Sequence, residues 1–458
     1  MWSLLTVLAF APSTAEAQRI PEASYKLQLD TYDIGLNDYR FPSGLRIIFQ
    51  SERSQPMVAI TSAIDRGSEH DQADMDGIAH VVEHLAFRAQ HGDLPKNWDL
   101  IKQLGGSINA STSVDWTNYM TIAPVDSLVP LLTIEVLRMA DGVANVTQEH
   151  VTTEAEIARN ELRMRYENAA VGSAWDALGA SLFPEDHPYA RSTIGSHETL
   201  GNLTIEKVQE YVDDNYRPEF FTIVIVGDIN LDDSSDVINR AFMGHENLLM
   251  APEDAEAFLA LEGGKAQEEY LAEWYPKLQE YMIASSAEPF TPRVDCDGRS
   301  EPPPPVTQET ARVKGMVDNE TVVLAWSLPG GYCDDGPTMN MTASLLTNYI
   351  YQSLYPSWEY SKEDSVLDGI GCFASADQYF TQLICFIEPS ASGGYSSERL
   401  IDKAADALYQ QWQPPSPQLK PFMDWNFNYA RMQSMASMLQ SVDEVSTLGG
   451  RATATAMF

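Results

Sequence analysis

His80-Val81-Val82-Glu83-His84 lies in a run without proline that reads as a helix from about Asp76 to Ala89, with Asp76 as its cap. Residues i and i+4 share a helix face, so His80 and His84 can reach one metal ion. Glu83 follows His80 by three residues and points to nearly the same side, where it can hold a water and take its proton. With eight histidines in 458 residues, such a string arises by chance about 0.01 times per chain. The bland alternative is two stacked histidines with a structural role on an amphipathic helix. Two imidazoles do not complete a catalytic zinc site, which needs a third protein ligand and an open position. The order His-x-x-Glu-His is that of the inverted zinc motif.

Outward from this helix the pattern is one of strands and helices in alternation. Leu45–Phe49 and Val58–Ile64 are β-rich, Gly105-Gly106 signals a turn, and Ile108–Ile122 reads as two short strands of alternating polarity. Helices are expected over about 127–142, 148–170 and 204–215, and Phe221–Gly227 is an apolar run suited to a buried strand. Residues 30–245 thus form a β-sheet covered by helices. Residues 246–305 follow as an acidic helical insertion that ends in Pro302-Pro303-Pro304-Pro305, a stiff linker. Residues 306–458 repeat the order strand (Thr321–Trp326), Gly-rich loop, helix (Thr338–Leu354) without the His-x-x-Glu-His string. The expected fold class is therefore α+β: two related α/β units, each a β-sheet covered by helices.

The chain carries 29 Lys+Arg against 66 Asp+Glu, a net charge of −37. That balance excludes nucleic acid as the main partner, because its phosphates are held by Lys and Arg, and it disfavours an anionic membrane surface. Leu4–Ala11 is apolar, and Ala15-Glu16-Ala17 before Gln18 fits a cleavage site, so residues 1–17 read as a signal peptide of an exported, periplasmic or secreted protein. No Lys or Arg precedes the apolar run, which leaves an upstream start or an unusual first strand as alternatives. No later stretch has the ~18 apolar residues of a membrane-spanning helix. Four cysteines occur without a C-x-x-C pair. A hairpin turning near Asp377-Gln378 would set Cys372 opposite Cys385, which among the three pairings favours Cys372–Cys385 with Cys296–Cys333; four buried free thiols are an equal alternative.

The sequence resembles the pitrilysin and insulin-degrading-enzyme metallopeptidases, which include the mitochondrial processing peptidases. The resembling residues are Gly67-Ser68-Glu69, Gly77 to Phe87, Gly105-Gly106-Ser107-Ile108-Asn109-Ala110 and Thr117-Asn118-Tyr119. They continue at His187-Pro188-Tyr189, Gly195 and Asn215-Tyr216-Arg217-Pro218. The resemblance implies Zn2+ held by His80, His84 and a Glu on another helix. Glu161, 77 residues after His84, matches that ligand, and Glu154 matches the carboxylate that supports the site. Taken alone, both would read as solvated helix-face residues. The resemblance further implies Glu83 as general base and Ser107–Ser113 as an edge strand that receives the substrate, with main-chain bonds at Asn109 and Ala110. His187, in a loop before Pro, reads as structural, and the remaining five histidines have no partner spacing.

Members of the family use an Arg and a Tyr from a later domain to grip substrate. Residues 348–376 here offer Tyr349, Tyr351, Tyr355 and Tyr360 but no Arg. The expectation is a zinc endopeptidase acting on peptides or unfolded segments, built as one half of a clamshell whose other half is a separate subunit or a missing continuation. The alternative is a non-catalytic, structural or chaperone-like subunit of such a pair. On this reading −37 predicts an acidic chamber that prefers basic or neutral peptides.

Overall fold

A computed structural model describes residues 3–10, 36–286 apart from 169 and 263, and, further on, 310–315, 321–329, 342–347, 350, 367–376, 380–390, 399 and 401–402. The strands are β1 (Ser3–Phe10), β2 (Leu36–Arg40), β3 (Arg46–Ser51), β4 (Met57–Ile64), β5 (Ser107–Thr112), β6 (Thr117–Pro124), β7 (Phe221–Gly227), β8 (Thr310–Gly315), β9 (Val322–Pro329), β10 (Leu367–Ala376) and β11 (Phe380–Pro389). The helices are α1 (Ile78–Arg88), α2 (Asn97–Gln103), α3 (Leu128–Asp141), α4 (Gln148–Leu162), α5 (Ala170–Leu182), α6 (Ile205–Asn215), α7 (Ser234–Ala241), α8 (Pro252–Leu259) and α9 (Gly264–Ser286). The fold is α+β, with two sheets of six and five strands and helices packed on them.

The six-stranded sheet has the order β2-β3-β7-β4-β6-β5. β7 lies parallel to β3 and antiparallel to β4, and every one of its residues is buried, which is why Phe221–Gly227 reads as an unbroken apolar run. At the other extreme β5 pairs only with β6 among the described strands, and exposed Ser107, Asn109 and Ser111 alternate along it with half-buried Ile108, Ala110 and Thr112. α1 buries Ile78, Ala79, Val81, Val82, Leu85 and Ala86. Each large apolar side chain of that set contributes about 1.5–3 kcal/mol. Loop 89–96 and α2 follow, anchored where the Asn97 amide donates to the Ala86 carbonyl oxygen at 3.0 Å. α8 and α9 fill the acidic stretch after residue 250, and α9 packs on β2 with Leu278 and Met282 buried.

Two local devices place α1. Asp76 is not the cap: the helix starts after Gly77, whose φ of 93° suits glycine, and the carboxylate of Asp71 accepts the N–H groups of Gly77 (2.8 Å) and Ala79 (3.3 Å). The loop before it is stitched to the β5–β6 turn, because Ser68 N–H donates to Ser113 O (3.0 Å) and Glu69 N–H to Val114 O (2.9 Å). Gly67 permits this approach, since a Cβ there would lie 2.4 Å from the Val114 oxygen.

The five-stranded sheet has the order β10-β11-β9-β1-β8, with β1 antiparallel to β8 and parallel to β9. The apolar run read as a leader is thus a strand here, the alternative its composition also allowed; apolar residues that suit a signal core equally suit an interior strand. Val322, Leu324, Ile350, Cys385 and Ile387 form the buried cluster of this sheet. Cys372 faces Cys385 across β10–β11 and the two form the expected disulfide. Trp175 of α5 packs against Phe373 and Phe386, and α5 also meets β1, β8 and β9.

The described elements gather into two compact units that interleave in sequence. One holds β2–β7 with α1–α3, α6–α9 and α4 as far as Ala158; the other holds residues from Arg159 to Ser196, including α5, with β1 and β8–β11. α5 belongs with the later strands because it packs on their sheet. Cys296, Cys333, the proline linker and the four tyrosines named above lie outside the described residues.

Candidate metal centre

α1 presents His80 and His84 one turn apart with ring centroids 4.6 Å from each other. α4 runs unbroken from Gln148 to Leu162 and carries Glu154 and Glu161 two turns apart. One donor atom from each of His80, His84 and Glu161 lies within 4.8 Å of the others, and this is the cluster of that kind among the described residues. Two neutral imidazoles and a carboxylate are a donor set that suits a divalent zinc ion with room for one more ligand.

Glu154 touches the ring of His84 at Nδ1, with Oε2 at 3.0 Å, and its other oxygen accepts from the guanidinium of Arg88. Burial disfavours the Glu154 charge, but these hydrogen bonds and the charges of Arg88 and His84 outweigh it and hold the carboxyl below its usual range. A carboxylate accepting from Nδ1–H fixes the tautomer that leaves Nε2 for a metal. Arg88 stands four residues after His84, so one helix face carries both the ring and the cation that steadies its support.

Glu83 is buried, and its Oε2 accepts from the Thr112 hydroxyl at 2.6 Å. Thr112 belongs to the edge strand β5 and had no role in the sequence reading. Its signal was there: it alternates with Ala110 and Ile108, so it faces the side of the sheet that α1 covers. Asn109 and Ala110 lie on the same strand, opposite Met120 and Tyr119. Ser113 N–H donates to Trp116 O at 2.8 Å, and antiparallel alternation from that pair turns the backbone groups of Asn109 toward β6 and those of Ala110 toward the open edge. The two residues are therefore not equivalent, and Ile108, Ala110 and Thr112 are the ones with main-chain groups at the edge.

Beneath α1 lies a buried polar group. Arg138 pairs with Glu135 at 2.9 Å, its guanidinium sits 3.6 Å from the Tyr119 ring centre, and the Tyr119 hydroxyl bonds that of Tyr216 at 2.8 Å. Burial raises the pKa of both tyrosines, so they stay neutral. His187 accepts from Tyr189 N–H and stacks on Phe183 at 4.9 Å, which agrees with a structural role.

The family model described as Insulinase (Peptidase family M16) matches residues 46–195, and that described as Peptidase M16 inactive domain matches 202–379. The chain belongs to peptidase family M16. The zinc protease PqqE of Helicobacter pylori is 25% identical over 208 residues, which are 45% of this M16 chain and 46% of the relative. The shared region thus spans under half of that curated relative. A crystal structure of a protease from Helicobacter pylori shares the fold at a TM-score of 0.65 and 18% identity, covering 91% of this chain and 88% of that one. The periplasmic protease PqqL from Escherichia coli follows at a TM-score of 0.52 and 17% identity, covering 92% of this chain but 46% of its own.

Proposed function

We propose that this M16 chain is a zinc-dependent endopeptidase acting on peptides or unfolded segments. The supporting observation is the meeting of His80, His84 and Glu161 within 4.8 Å, beside a Glu83 aimed by Thr112. His80, His84 and Glu161 would hold the ion. Bound there, zinc supplies Lewis acidity that polarises the scissile carbonyl and makes water easier to deprotonate.

The remaining work falls to the chain. Glu83 takes the proton of the attacking water and passes it to the leaving amine. Thr112 fixes the carboxylate that does so, and it stands on the strand that a peptide would extend. Ile108, Ala110 and Thr112 offer main-chain groups to that peptide, giving affinity with little demand on sequence. Glu154 and Arg88 keep His84 in one tautomer. A second family-like half would supply the remaining substrate contacts, and the acidic balance of the chain favours basic or neutral peptides.

Peptide cleavage by the wild type and Glu83→Gln, with zinc content measured for both, tests this reading. Loss of cleavage with zinc retained is expected. One zinc per chain with no cleavage by the wild type, candidate partners added, would favour a non-catalytic subunit. Export is part of the proposal, supported by the apolar run at the start of the sequence. Sequencing the mature N-terminus decides between cleavage after Ala17 and retention of β1.

A further inference from the structure

Glu161 lies one residue before the end of α4, next to a feature its ligand role does not require. The helix passes into a π-helical turn, Arg163–Glu167, closed by Asn168 N–H donating to Arg163 O at 2.9 Å. Such wide turns recur at functional sites. Within it Arg165 brings its guanidinium 3.4 Å from Glu161 Oε1, while the Arg165 side chain stays 65% exposed. The backbone of the turn is held in place by α5. Gly172 lies against it so closely that a Cβ there would come 1.7 Å from the Arg165 carbonyl oxygen. A neighbouring cation, Arg163, turns instead to Asn160 Oδ1 at 2.8 Å. Of the two, Arg165 is the one that contacts the ligand carboxylate.

We propose that Arg165 is a built-in competitor for the metal: it neutralises Glu161 in the metal-free chain and lowers the affinity of the site for zinc. This rests on the zinc reading above. The physical ground is direct. A guanidinium on the ligand carboxylate stabilises the empty site, and it repels a divalent cation a few ångströms further on. Arg88 makes the opposite contribution through Glu154, because its contact strengthens a support of His84 and leaves the donor atoms of the three ligands alone. The site is thus flanked by one arginine that favours loading and one that opposes it. Exposure keeps the opposing effect small.

Zinc dissociation constants measured by competition with a chromogenic chelator, at low and high salt, test the proposal on the full chain. Arg165→Gln is expected to bind zinc roughly two- to fivefold more tightly than wild type. Arg165→Lys, which keeps the charge, returns most of the way to wild type, and the gap between wild type and Arg165→Gln narrows at high salt. Arg163→Gln makes the same change in net charge without the contact and is expected to leave affinity unchanged. Equal or weaker zinc binding by Arg165→Gln overturns the proposal and makes Arg165 an orienting group. An equal gain from Arg163→Gln also overturns it, in favour of bulk charge. Failure of the wild type to bind one zinc that His80→Ala abolishes would instead defeat the zinc reading itself.

Discussion

The two sheets of this M16 chain are built alike and stabilised differently. The six-stranded sheet carries helices that bury His80, Glu83, Glu154 and the Arg138–Glu135 pair, with Glu83 bonded to Thr112 and Glu154 to His84 and Arg88. The five-stranded sheet buries an apolar cluster around a covalent cross-link, Cys372–Cys385. Buried charge is weak support for a fold, whereas packing and a cross-link are strong support. Both sheets have an apolar core, and the difference among the described residues is that the first adds buried charged groups to it while the second adds a covalent cross-link.

The sharpest break of this comparison is Glu83→Gln. Cleavage should fall ~10²–10⁴-fold, as loss of a general base does, with the zinc content and melting temperature of wild type. If the melting temperature falls instead, Glu83 belongs to the fold and the contrast fails. Cys372→Ser with Cys385→Ser should act the other way round. Opening a loop with a sequence separation of 13 should cost about 3 kcal/mol in unfolding free energy, read by denaturant titration, with zinc affinity unmoved. Glu154→Gln comes next. It keeps shape but weakens the grip on His84, and zinc affinity should drop ~10–100-fold.

The smallest effect is expected at His70, in the loop before α1. Burial, followed by the Arg66 charge, lowers its pKa from 6.5 to about 4. The unfolded chain therefore binds a proton that the folded chain refuses. Stability from this source is complete above pH 6.5 and is lost as pH falls toward 4. His70→Asn should flatten that slope in pH-dependent unfolding. An unchanged slope would place the acid sensitivity elsewhere in the molecule.

His80, Glu83 and His84 could be picked out because they sit at helical spacing on one helix, whereas Glu154 and Glu161 were named only through the family resemblance. Residues that reach across space were not legible. Asp71 caps α1 from six residues upstream of Gly77, and Thr112 arrives on a strand. The hairpin pairing of Cys372 with Cys385 followed from strand period alone. The fate of residues 3–10 did not, because an apolar run has the same composition in a leader and in an interior strand. The packing of α5 on the later sheet was hidden for a related reason: sequence order carries no record of which sheet a helix covers.

Gly67 gives the stitched loop a mechanical meaning. Two backbone hydrogen bonds tie the approach to α1 to the turn that joins β5 and β6, and no side chain fits between them. Strand and helix are thereby one lever. Thr112 on β5 and Glu83 on α1 therefore stand on two elements held in one register, so a displacement of the strand edge and one of the helix are coupled through the backbone.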